Sequence, residues 1–526
     1  MDAILLRNAQ FFTFDPYQLR ADTMLIRDGK IDFVGMHDAL HSTSALRAKE
    51  EDLGGAFVLP SFTDSHIHLL QYGLSLHRVN CQTSTRAECL ARVRAWVEHA
   101  KSGEWVLGHG WNHNFWPEGI PNKALLDVFS NENPVYLTHK SLHCGLANSA
   151  ALRAANISST TPNPEGGLIE HDKQGDTTGI LYESAMRLVE SAIPPANNHQ
   201  RLTALNEAQD LLLSLGITAV HDFDDWACYE SLQSMEDEGI LRLRVVKSIP
   251  YDKLEEAIAE GWRSGSGKER LKIGWLKLFS DGALGSQTAA MLDPYEDTAS
   301  SGMLFLTKDE MVNIGKKAMA AGISLAIHAI GDRANREIIN SYAQLKNEGY
   351  FPRCSLKPRI EHVQIITPED QRLLAEIGIT ASMQPLHAVT DRGAAERCWG
   401  SRCENAYAWQ SLLKAGAFLI FGSDAPVESP NPYWGLVAAM TRAAPHLAHK
   451  QESWIPNQCV SLEAALTAYI PAPAEAASLS SSGKMAKGCS ADLAIFDKDL
   501  FRLPPEVLAE VQPRAVMAEG KWVFNR

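Results

Sequence analysis

The chain has few of the features that mark secreted or membrane-bound proteins. It contains nine cysteines, an odd number without paired spacing, which indicates reduced thiols in the cytoplasm rather than a disulfide scaffold. No apolar run approaches the roughly 20 residues needed to span a bilayer. Residues 1–8 lack the basic segment and the long apolar segment of a signal peptide. We therefore expect a cytoplasmic protein that is not inserted in a membrane.

The chain also lacks an excess of positive charge. Its formal net charge of −14 would repel a phosphate backbone and an anionic lipid surface, so neither nucleic acid nor membrane is expected as a partner. With 45% hydrophobic and 21% charged residues, the composition is that of an ordinary globular protein. At 526 residues, the chain exceeds the size at which one core stops growing, which predicts two or three domains.

Short strand patterns occupy both ends of the chain. Near the amino end, apolar runs such as 23–27 are separated by turn-prone Asp-Pro and Asp-Gly pairs. Near the carboxyl end, the segment 515–524 has Gly520 at a predicted hairpin turn. The two β-rich ends predict one small β-sandwich domain built from residues 1–56 and 483–526.

Strand-like and helix-like segments alternate through the centre. Helical patterns at 200–215 and 308–321 end at Gly216 and Gly322, which are typical helix stops. Seven apolar runs, together with one that enters His66, supply eight strands. Their alternation with helices predicts an α/β fold, a (β/α)₈ TIM barrel with its active site at the carboxyl ends of the strands. The seven predicted strands are 218–223, 243–249, 273–279, 325–330, 359–363, 379–384 and 418–422.

The spacing of strand-end residues also predicts an insertion in the barrel. A barrel of ~250 residues uses roughly 31 residues for each strand–helix unit. His68 and Lys277 are 209 residues apart, where three units need only about 95. We therefore predict an α/β insertion after the first barrel strand, at 76–204, within a barrel formed by residues 57–75 and 205–482.

Several of these strands end in histidine or aspartate. His66 and His68 alternate onto one face of an extended segment, His328 and His362 each end a short apolar run, and Asp424 follows a fourth run. Imidazole and carboxylate groups are ligands suited to zinc and similar divalent ions. Any one of these histidines could be a hydrogen-bonded core residue, but together they predict a hydrolytic metal site. Five ligands exceed what one catalytic ion takes from protein, which predicts two ions, with zinc favoured over other divalent metals.

Lys277 ends a further apolar run at the same edge. An ammonium group cannot ligate a metal, and holding the amine neutral at pH 7 costs about 4.6 kcal/mol from its reference pKa. Reaction with CO₂ would give a carbamate, which can bridge two ions as a carboxylate does. The alternative is an ion pair with Asp281 or Asp424, and the residues alone leave both possibilities open.

Asp424 is also the candidate catalytic residue. It would take a proton from the hydrolytic water and pass it to the leaving nitrogen, while the metal lowers the pKa of that water and polarises the scissile carbonyl. A Gly-Ser-Asp sequence such as 422–424 also occurs where a strand simply meets a helix. Asp332, which follows His328, is expected to orient that ligand or to cap a helix.

The insertion carries two clusters of aromatic and imidazole side chains, at 108–116 and 137–149. Flat rings accept an apolar group, and a histidine can donate a hydrogen bond to a carbonyl. Trp111, Trp116 and His143 are therefore predicted to bind substrate. The alternative is that these side chains form the core of the insertion.

Taken together, the motifs resemble those of the amidohydrolase superfamily and, within it, the YtcJ-like branch that includes N-substituted formamide deformylases. The resemblance extends over nearly the whole chain. The sequences that carry it include 64–68, 148–152, 166–169, 276–286, 328–334, 361–362 and 422–424. The ligands that it implies are His66, His68 and Asp424 for one ion, His328 and His362 for the second, and carboxylated Lys277 as the bridge.

We expect from these residues a metal-dependent hydrolase of a non-peptide carbon–nitrogen bond, in an amide or N-substituted formamide. The alternatives are a deaminase or cyclic-amide hydrolase of the same superfamily, and a barrel that binds without turnover. Deaminases of the superfamily use a glutamate soon after the fifth-strand histidine, and none lies between His328 and Glu337. The full ligand set counts against a non-catalytic barrel. We also expect a homodimer that acts on a small-molecule amide.

Overall fold

The computed structural model of the chain describes residues 3–40, 48–113, 116–140, 144–164, 166–448 and 450–526. It divides into two compact units, one formed by Met1–Tyr72 with Leu205–Arg526 and the other by Gly73–Ala204. The predicted insertion at 76–204 falls inside the second unit. The first unit contains both the terminal sheet and the barrel, which the sequence analysis treated as separate domains.

Strands are found along the whole chain. In chain order, the strands of the described residues are β1 (Ala3–Phe12), β2 (Arg20–Ala21), β3 (Thr23–Arg27), β4 (Lys30–Gly35), β5 (Lys49–Pro60), β6 (Phe62–Ile67), β7 (Val79–Asn80), β8 (Val106–Trp111), β9 (Val135–His139), β10 (Cys144–Ala147), β11 (Gly167–His171), β12 (Thr177–Glu183), β13 (Ile217–Asp222), β14 (Arg244–Ile249), β15 (Leu271–Phe279), β16 (Leu325–Ala329), β17 (Arg359–His362), β18 (Thr380–Met383), β19 (Phe418–Phe421), β20 (Leu493–Phe496), β21 (Ala515–Ala518) and β22 (Lys521–Asn525).

Helices alternate with the central strands. In the same described ranges the α-helices are α1 (Leu69–Leu76), α2 (Arg86–His99), α3 (Lys123–Asp127), α4 (Ser149–Ala154), α5 (Met186–Glu190), α6 (Asn198–Ser214), α7 (Trp226–Asp237), α8 (Leu254–Ala259), α9 (Lys308–Ala320), α10 (Asp332–Asn347), α11 (Pro368–Ile377), α12 (Pro385–Thr390), α13 (Arg392–Trp399), α14 (Trp409–Lys414), α15 (Pro432–Thr441), α16 (Leu462–Tyr469), α17 (Pro471–Ala476) and α18 (Pro505–Leu508). Of the helices described, none is long and apolar enough to cross a membrane.

Eight parallel strands form the barrel sheet. Their order is β19-β18-β17-β16-β15-β14-β13-β6, with every neighbouring pair parallel. At the remaining seam, the N–H of Asp424 donates to the carbonyl of His66 at 2.7 Å, and the N–H of His68 donates to that of Ala425 at 2.9 Å. These bonds join the first and last strands at their carboxyl ends, and the predicted eight-stranded parallel barrel is confirmed.

The barrel strands follow from buried apolar runs, because helices cover one face and the barrel interior the other. The helices between these strands begin and end at typical capping residues. Thr307 and Glu310 form a reciprocal capping box at the start of α9. The predicted stops Gly216 and Gly322 have positive φ of 85° and 81°, a conformation that favours glycine.

The terminal strands form an eight-stranded sheet in the order β22-β21-β20-β5-β1-β3-β4, with β2 paired to β1. Strands from both ends of the chain therefore share one sheet, because β20 pairs with β5. Their apolar faces enclose a cluster that includes Phe11, Met24, Val58, Ile495 and Met517. The hydrogen bonds join all eight strands in one sheet, and its division into two packed layers stays a prediction.

The second unit contains a six-stranded mixed sheet in the order β11-β12-β10-β9-β8-β7. Helix α2 begins at Arg86, and the side chain of its N-cap residue Thr85 accepts a hydrogen bond from the N–H of Glu88. The second unit thus contains both strands and helices, and its role as an insertion in the barrel at 76–204 stays a prediction.

Candidate metal centre

The predicted metal ligands meet at the carboxyl ends of the barrel strands. His66 lies in β6, His328 in β16 and His362 in β17, while His68 directly follows β6 and Asp424 lies three residues after the end of β19. The ring centre of His362 is 5.0 Å from that of His66 and 4.7 Å from that of His328. The ring centres of His66 and His68 are 5.7 Å apart. Parallel strands thus bring together four imidazoles from distant parts of the sequence.

His66, His68 and Asp424 form the first candidate ligand group, with one ligand atom from each lying within 4.8 Å of the others. Nε2 of His66 and Nε2 of His68 are each 3.4 Å from Oδ1 of Asp424. Asp424 is buried, so this carboxylate is not solvated as it would be at the surface. The set of two imidazoles and one carboxylate matches the ligands that divalent transition metals take in proteins.

The hydrogen bonds of His66 fix which of its nitrogens could bind metal. Nδ1 of His66 is 2.6 Å from Oε2 of Glu361. Burial would raise the pKa of Glu361, but the buried Arg359 guanidinium and His66 hold it well below its usual range. The ionised carboxylate accepts the Nδ1 proton, while burial lowers the pKa of His66 to about 4. The ring is therefore neutral, and the lone pair of Nε2 points towards Asp424. Because this nitrogen and the carboxylate of Asp424 are both acceptors, a cation fits between them.

His68 lies between two carboxylates. Its Nδ1 is 3.4 Å from Oδ1 of Asp224 and its Nε2 is 3.4 Å from Oδ1 of Asp424. Burial lowers the pKa of His68, but the two carboxylates outweigh burial and raise it to about 10. A divalent cation at Nε2 would replace the proton there, because metal binding and protonation compete for the same lone pair.

Asp224 is held in place by a buried polar cluster that the sequence analysis missed. Its Oδ2 accepts the N–H of Leu70 at 2.5 Å, and Oδ1 of Asp222 accepts the N–H of Leu69 at 2.8 Å. Nζ of Lys247 lies 3.0 Å from Oδ2 of Asp222, and the pKa of Lys247 is raised because that carboxylate outweighs burial. The cluster anchors the start of α1 and points Asp224 at His68. A run of three acidic residues at 222, 224 and 225 after a barrel strand was the available sequence signal.

A second candidate group contains His362, His387 and Asp424. Nδ1 of His362 is 2.8 Å from Oε1 of Gln384, and because an amide oxygen only accepts, Nδ1 carries the proton and Nε2 is left as the ligand atom. Nε2 of His387 is 3.2 Å from Oδ2 of Asp424. His387 was not predicted from the sequence, because only Gln384 directly follows β18 and His387 lies within α12.

His328 lies beside His362 but its Nε2 faces other groups. That atom is 3.1 Å from the carbonyl of Gly282 and 3.5 Å from Oδ1 of Asp281. Burial lowers the pKa of His328 to about 3, so the ring is neutral. If Nε2 donates to Gly282, Nδ1 is the nitrogen that remains for a metal.

Lys277 is buried against aromatic rings. Its Nζ lies 4.9 Å from the ring centres of Phe223 and Phe279. Burial lowers the pKa of Lys277 to about 8. Of the two predicted ion-pair partners, Asp281 accepts the N–H groups of Ile330, Gly331 and Ala290. The other, Asp424, faces the imidazoles of the candidate ligands.

Two ligand positions have left-handed backbone. His362 and Asp424 have φ of 76° and 61°, a conformation that costs free energy for residues other than glycine. Asp64 supports this seam by accepting the N–H of His66 at 3.1 Å, the N–H of Ser423 at 2.9 Å and the hydroxyl of Ser423 at 2.6 Å. The strand ends that carry His66 and Asp424 are thus fixed to one carboxylate, and burial raises its pKa to about 6.

Asp332 binds backbone rather than His328. It is the first residue of α10, and its Oδ1 accepts the N–H of Leu292 at 2.8 Å and of Arg333 at 2.9 Å. The N-cap of α10 is Gly331, with no side-chain capping hydrogen bond, so a capping role for Asp332 stays a prediction. Asp281, whose Oδ1 lies 3.5 Å from Nε2 of His328, is the carboxylate beside that ring.

The predicted substrate residues lie in the second unit. Trp111 and Trp116 are buried in one apolar cluster with their ring centres 6.0 Å apart. The indole N–H of Trp111 donates to Leu137 O at 2.9 Å, and that of Trp116 donates to Thr83 O at 3.1 Å. These contacts are those of core residues, which was the alternative interpretation, and a role in substrate binding stays a prediction. His143 lies outside the described residues.

Comparison with known proteins identifies the family. The model of the amidohydrolase family matches residues 49–524. The chain belongs to the amidohydrolase family. The predicted resemblance is thereby confirmed, and membership supports a hydrolase whose fold is a parallel barrel.

Three relatives extend the comparison. Protein LONG AFTER FAR-RED 3 of Arabidopsis thaliana is 33% identical over 94% of this chain and 86% of its own length. N-substituted formamide deformylase of Arthrobacter pascens is 27% identical over 100% of this chain and 99% of its own. An uncharacterized metal-dependent hydrolase from Pyrococcus horikoshii OT3 has a solved structure that superimposes with a TM-score of 0.81 and 26% identity, covering 96% of this chain and 99% of that one.

Proposed function

We propose that the protein is a metal-dependent hydrolase that cleaves a non-peptide carbon–nitrogen bond in a small amide or N-substituted formamide. The observation that carries the proposal is the convergence of Nε2 of His66 and Nε2 of His68 on Oδ1 of Asp424, each at 3.4 Å. Similarity to an N-substituted formamide deformylase over the full chain supports the choice of bond.

Asp424 is the proposed catalytic residue. When bound, divalent metal would lower the pKa of water and polarise the scissile carbonyl. Asp424 accepts the proton that the water loses as it attacks the carbonyl carbon, and returns that proton to the nitrogen as the carbon–nitrogen bond breaks. The ring of His387, 3.2 Å from Oδ2 of Asp424, holds that carboxylate in a fixed orientation. Burial keeps bulk water from competing for the proton.

The proposed ligands are His66, His68 and Asp424 for one ion, and His328 and His362 for a second, with zinc the metal that these groups favour. Lys277 is proposed to bridge the two as a carbamate. Its amine nitrogen would form a bond to the carbon of CO₂ and lose one proton to solvent. The lowered pKa of Lys277, about 8, supports this step because the neutral amine is the nucleophile. His387 is a further candidate ligand, because it shares a group with His362 and Asp424.

A deaminase or cyclic-amide hydrolase is the alternative within the superfamily. Against a deaminase, the acidic residue in the segment after His328 is Asp332, and its carboxylate is bonded to backbone N–H groups of Leu292 and Arg333. Against a barrel without turnover, His66, His68 and Asp424 offer ligand atoms within 4.8 Å of one another, as do His362, His387 and Asp424.

A substrate panel tests the proposal directly. Purified full-length protein, incubated with zinc and bicarbonate, is assayed against acyl anilides, N-benzylformamide, a cyclic amide and an aminated heterocycle, with release of amine, acid or ammonia measured separately. We expect hydrolysis of the linear amides or formamide and none by protein treated with chelator. Ammonia from the heterocycle alone would favour a deaminase, and no turnover with metal bound would favour a binding protein.

The purified full-length protein also allows a test of the predicted homodimer. A homodimer stays a prediction, and the molar mass from light scattering on the eluted full-length protein would be twice that of the chain if it is correct.

A further inference from the structure

A cavity of about 470 Å³ lies beside Lys277 in the first unit. Its wall includes the rings of Phe223, Tyr251, Phe279 and Phe305. A volume of this size is within the range that binds small organic ligands, which is roughly 300–1,000 Å³. The cavity is therefore large enough to take one substituent of a small amide.

Two of these rings connect the cavity to the candidate metal centre. The ring of Phe223 is stacked on that of His66, with ring centres 4.2 Å apart. The ring centre of Phe279 is 5.3 Å from that of His328. Nζ of Lys277 lies 4.9 Å from both phenyl rings. A molecule in the cavity would therefore contact Lys277 and the rings of Phe223 and Phe279, which in turn contact His66 and His328.

Three rings of the cavity wall remain accessible. Tyr251 is 52% exposed, Phe279 is 50% exposed and Phe305 is 50% exposed. Phe305 is fixed beside the barrel because its N–H donates to the carbonyl of Ser280 at 2.8 Å. Large apolar side chains grouped around a concavity are typical of a binding site, whereas single exposed ones are common on any surface.

The charges of the wall are mainly negative. Asp224, Asp225 and Asp252 line the cavity, and Lys277, the one basic residue among its described lining residues, is itself the proposed carbamate. Asp225 is held at the start of α7, where its side chain accepts the N–H of Cys228 at 3.3 Å. The faces of aromatic rings also carry partial negative charge and attract cations. An anionic group would meet repulsion here, while a cationic group would meet carboxylates and ring faces.

We propose that this cavity binds the larger substituent of the substrate and selects an apolar group that carries a positive charge, such as a protonated amine or quaternary ammonium group. The proposal rests on the proposed function, because the bound molecule is taken to be an amide that is hydrolysed at the adjacent metal centre. Binding in the cavity does not itself require turnover. Asp252 and Asp225 set the preference for charge, and Phe279 and Phe305 set the preference for apolar bulk.

Binding of three non-hydrolysable probes to the zinc-loaded full-length protein tests the inference. The probes are benzyltrimethylammonium, benzyl alcohol and phenylmethanesulfonate, which share one ring and differ in charge, and sulfonate is a weak metal ligand. Titration calorimetry or ligand-observed NMR gives each affinity. We expect benzyltrimethylammonium to bind at least about threefold more tightly than benzyl alcohol, as cation–π and carboxylate contacts imply, and phenylmethanesulfonate to bind most weakly.

Variants of the lining residues test whether the cavity wall causes the preference for a cationic probe. In Asp225→Asn/Asp252→Asn, benzyltrimethylammonium should lose about three- to tenfold in affinity while benzyl alcohol is unaffected. Phe305→Leu should weaken both probes. Asp38→Asn, which removes an exposed carboxylate from the terminal sheet region, is the matched control and should change neither. Equal binding of the cation and the sulfonate, or cation binding unchanged in the double variant, would overturn the inference even if amides are hydrolysed. Failure of hydrolysis with the expected binding would instead count against the proposed function alone.

Discussion

Asp424 is the residue on which the candidate centre depends most directly. Its Oδ1 faces Nε2 of both His66 and His68 at 3.4 Å, and its Oδ2 lies 3.2 Å from His387. Burial alone would raise the pKa of Asp424, but the imidazoles of His387 and His68 hold it well below its usual range. The carboxylate is therefore ionised and able to accept a proton from water.

Asp424→Asn should separate metal binding from turnover. The amide oxygen can still ligate a metal, but the amide cannot accept a proton, so kcat should fall by at least ~10², the low end for a general acid–base group. Metal content by elemental analysis and the melting temperature should stay close to those of the wild type. Near-normal turnover in this variant would remove Asp424 from the mechanism.

Lys277 gives a second test at the residue scale. If its carbamate bridges two ions, Lys277→Ala should lose most of the bound metal, because both ions lose one ligand. Short carboxylic acids such as acetate or propionate should restore metal content and turnover, since they supply the missing carboxylate. In the wild type, ¹³C-labelled bicarbonate should give a carbamate signal that Lys277→Ala lacks. Full metal content in Lys277→Ala, together with no carbamate signal in the wild type, would instead show that Lys277 is unmodified and that metal binding does not need it.

The candidate metal ligands could be predicted from the sequence, but the residues that form hydrogen bonds with them could not. His66 and His68 are recognisable because alternation in a strand places both rings on one side. The partner Glu361 lies in β17 and the partner Asp224 follows β13, and their contacts exist only once the barrel has closed. His387 was missed for a related reason, because it lies in the helix after β18 rather than at the strand end. Its contact with Asp424 depends on how that helix turns.

At the scale of elements, the barrel strands were more predictable than the units attached to them. Strand β14 was predicted at 243–249 and is found at Arg244–Ile249, and β16 was predicted at 325–330 and is found at Leu325–Ala329. Strand β14 is buried throughout and β16 at every residue except His328, and short buried runs of this kind give a strong signal. The second unit has short strands with mixed direction, so neither its sheet order nor the position of Trp111 followed from periodicity.

Trp111→Phe tests whether this residue serves the core of the second unit or the substrate. The change keeps an aromatic ring but removes the indole N–H, which donates to the buried carbonyl of Leu137 at 2.9 Å in the wild type. Stability to denaturant should fall by about 1–3 kcal/mol, the cost of an unpaired buried polar group. The ratio of kcat/KM between N-benzylformamide and a small N-alkylformamide should be unchanged.

The matched control is Trp96→Phe, which alters an exposed tryptophan of helix α2 in the same unit. It should change neither stability nor selectivity, because an exposed indole contributes little to the core. A selective loss on the benzyl substrate in Trp111→Phe, with stability retained, would restore the substrate role predicted from the sequence.

At the scale of the whole molecule, the metal centre and barrel stability should be coupled. Acceptor atoms of His66, His68 and Asp424 are held facing one another by Glu361, Asp224 and the backbone of the seam between the first and last strands. A cation that binds this arrangement in the folded state, but not in the unfolded chain, adds RT ln(1 + [L]/Kd) to the free energy of unfolding. The ion would therefore stabilise the closure of the barrel itself.

Chelation should then lower the melting temperature of the full-length protein, and added zinc should restore it. At free metal about 100-fold above Kd, the expected gain is about 2.7 kcal/mol, which for a large first unit is a shift of a few degrees. Elemental analysis of gently purified protein should show more than one ion per chain. His66→Asn/His68→Asn should abolish most of the chelator effect, whereas His171→Asn, outside the first unit, should leave it intact. The contrary outcome is a melting temperature unchanged by both chelator and zinc, with no metal retained after gel filtration. The converging imidazoles would then be structural, and the proposed hydrolysis would have to be abandoned.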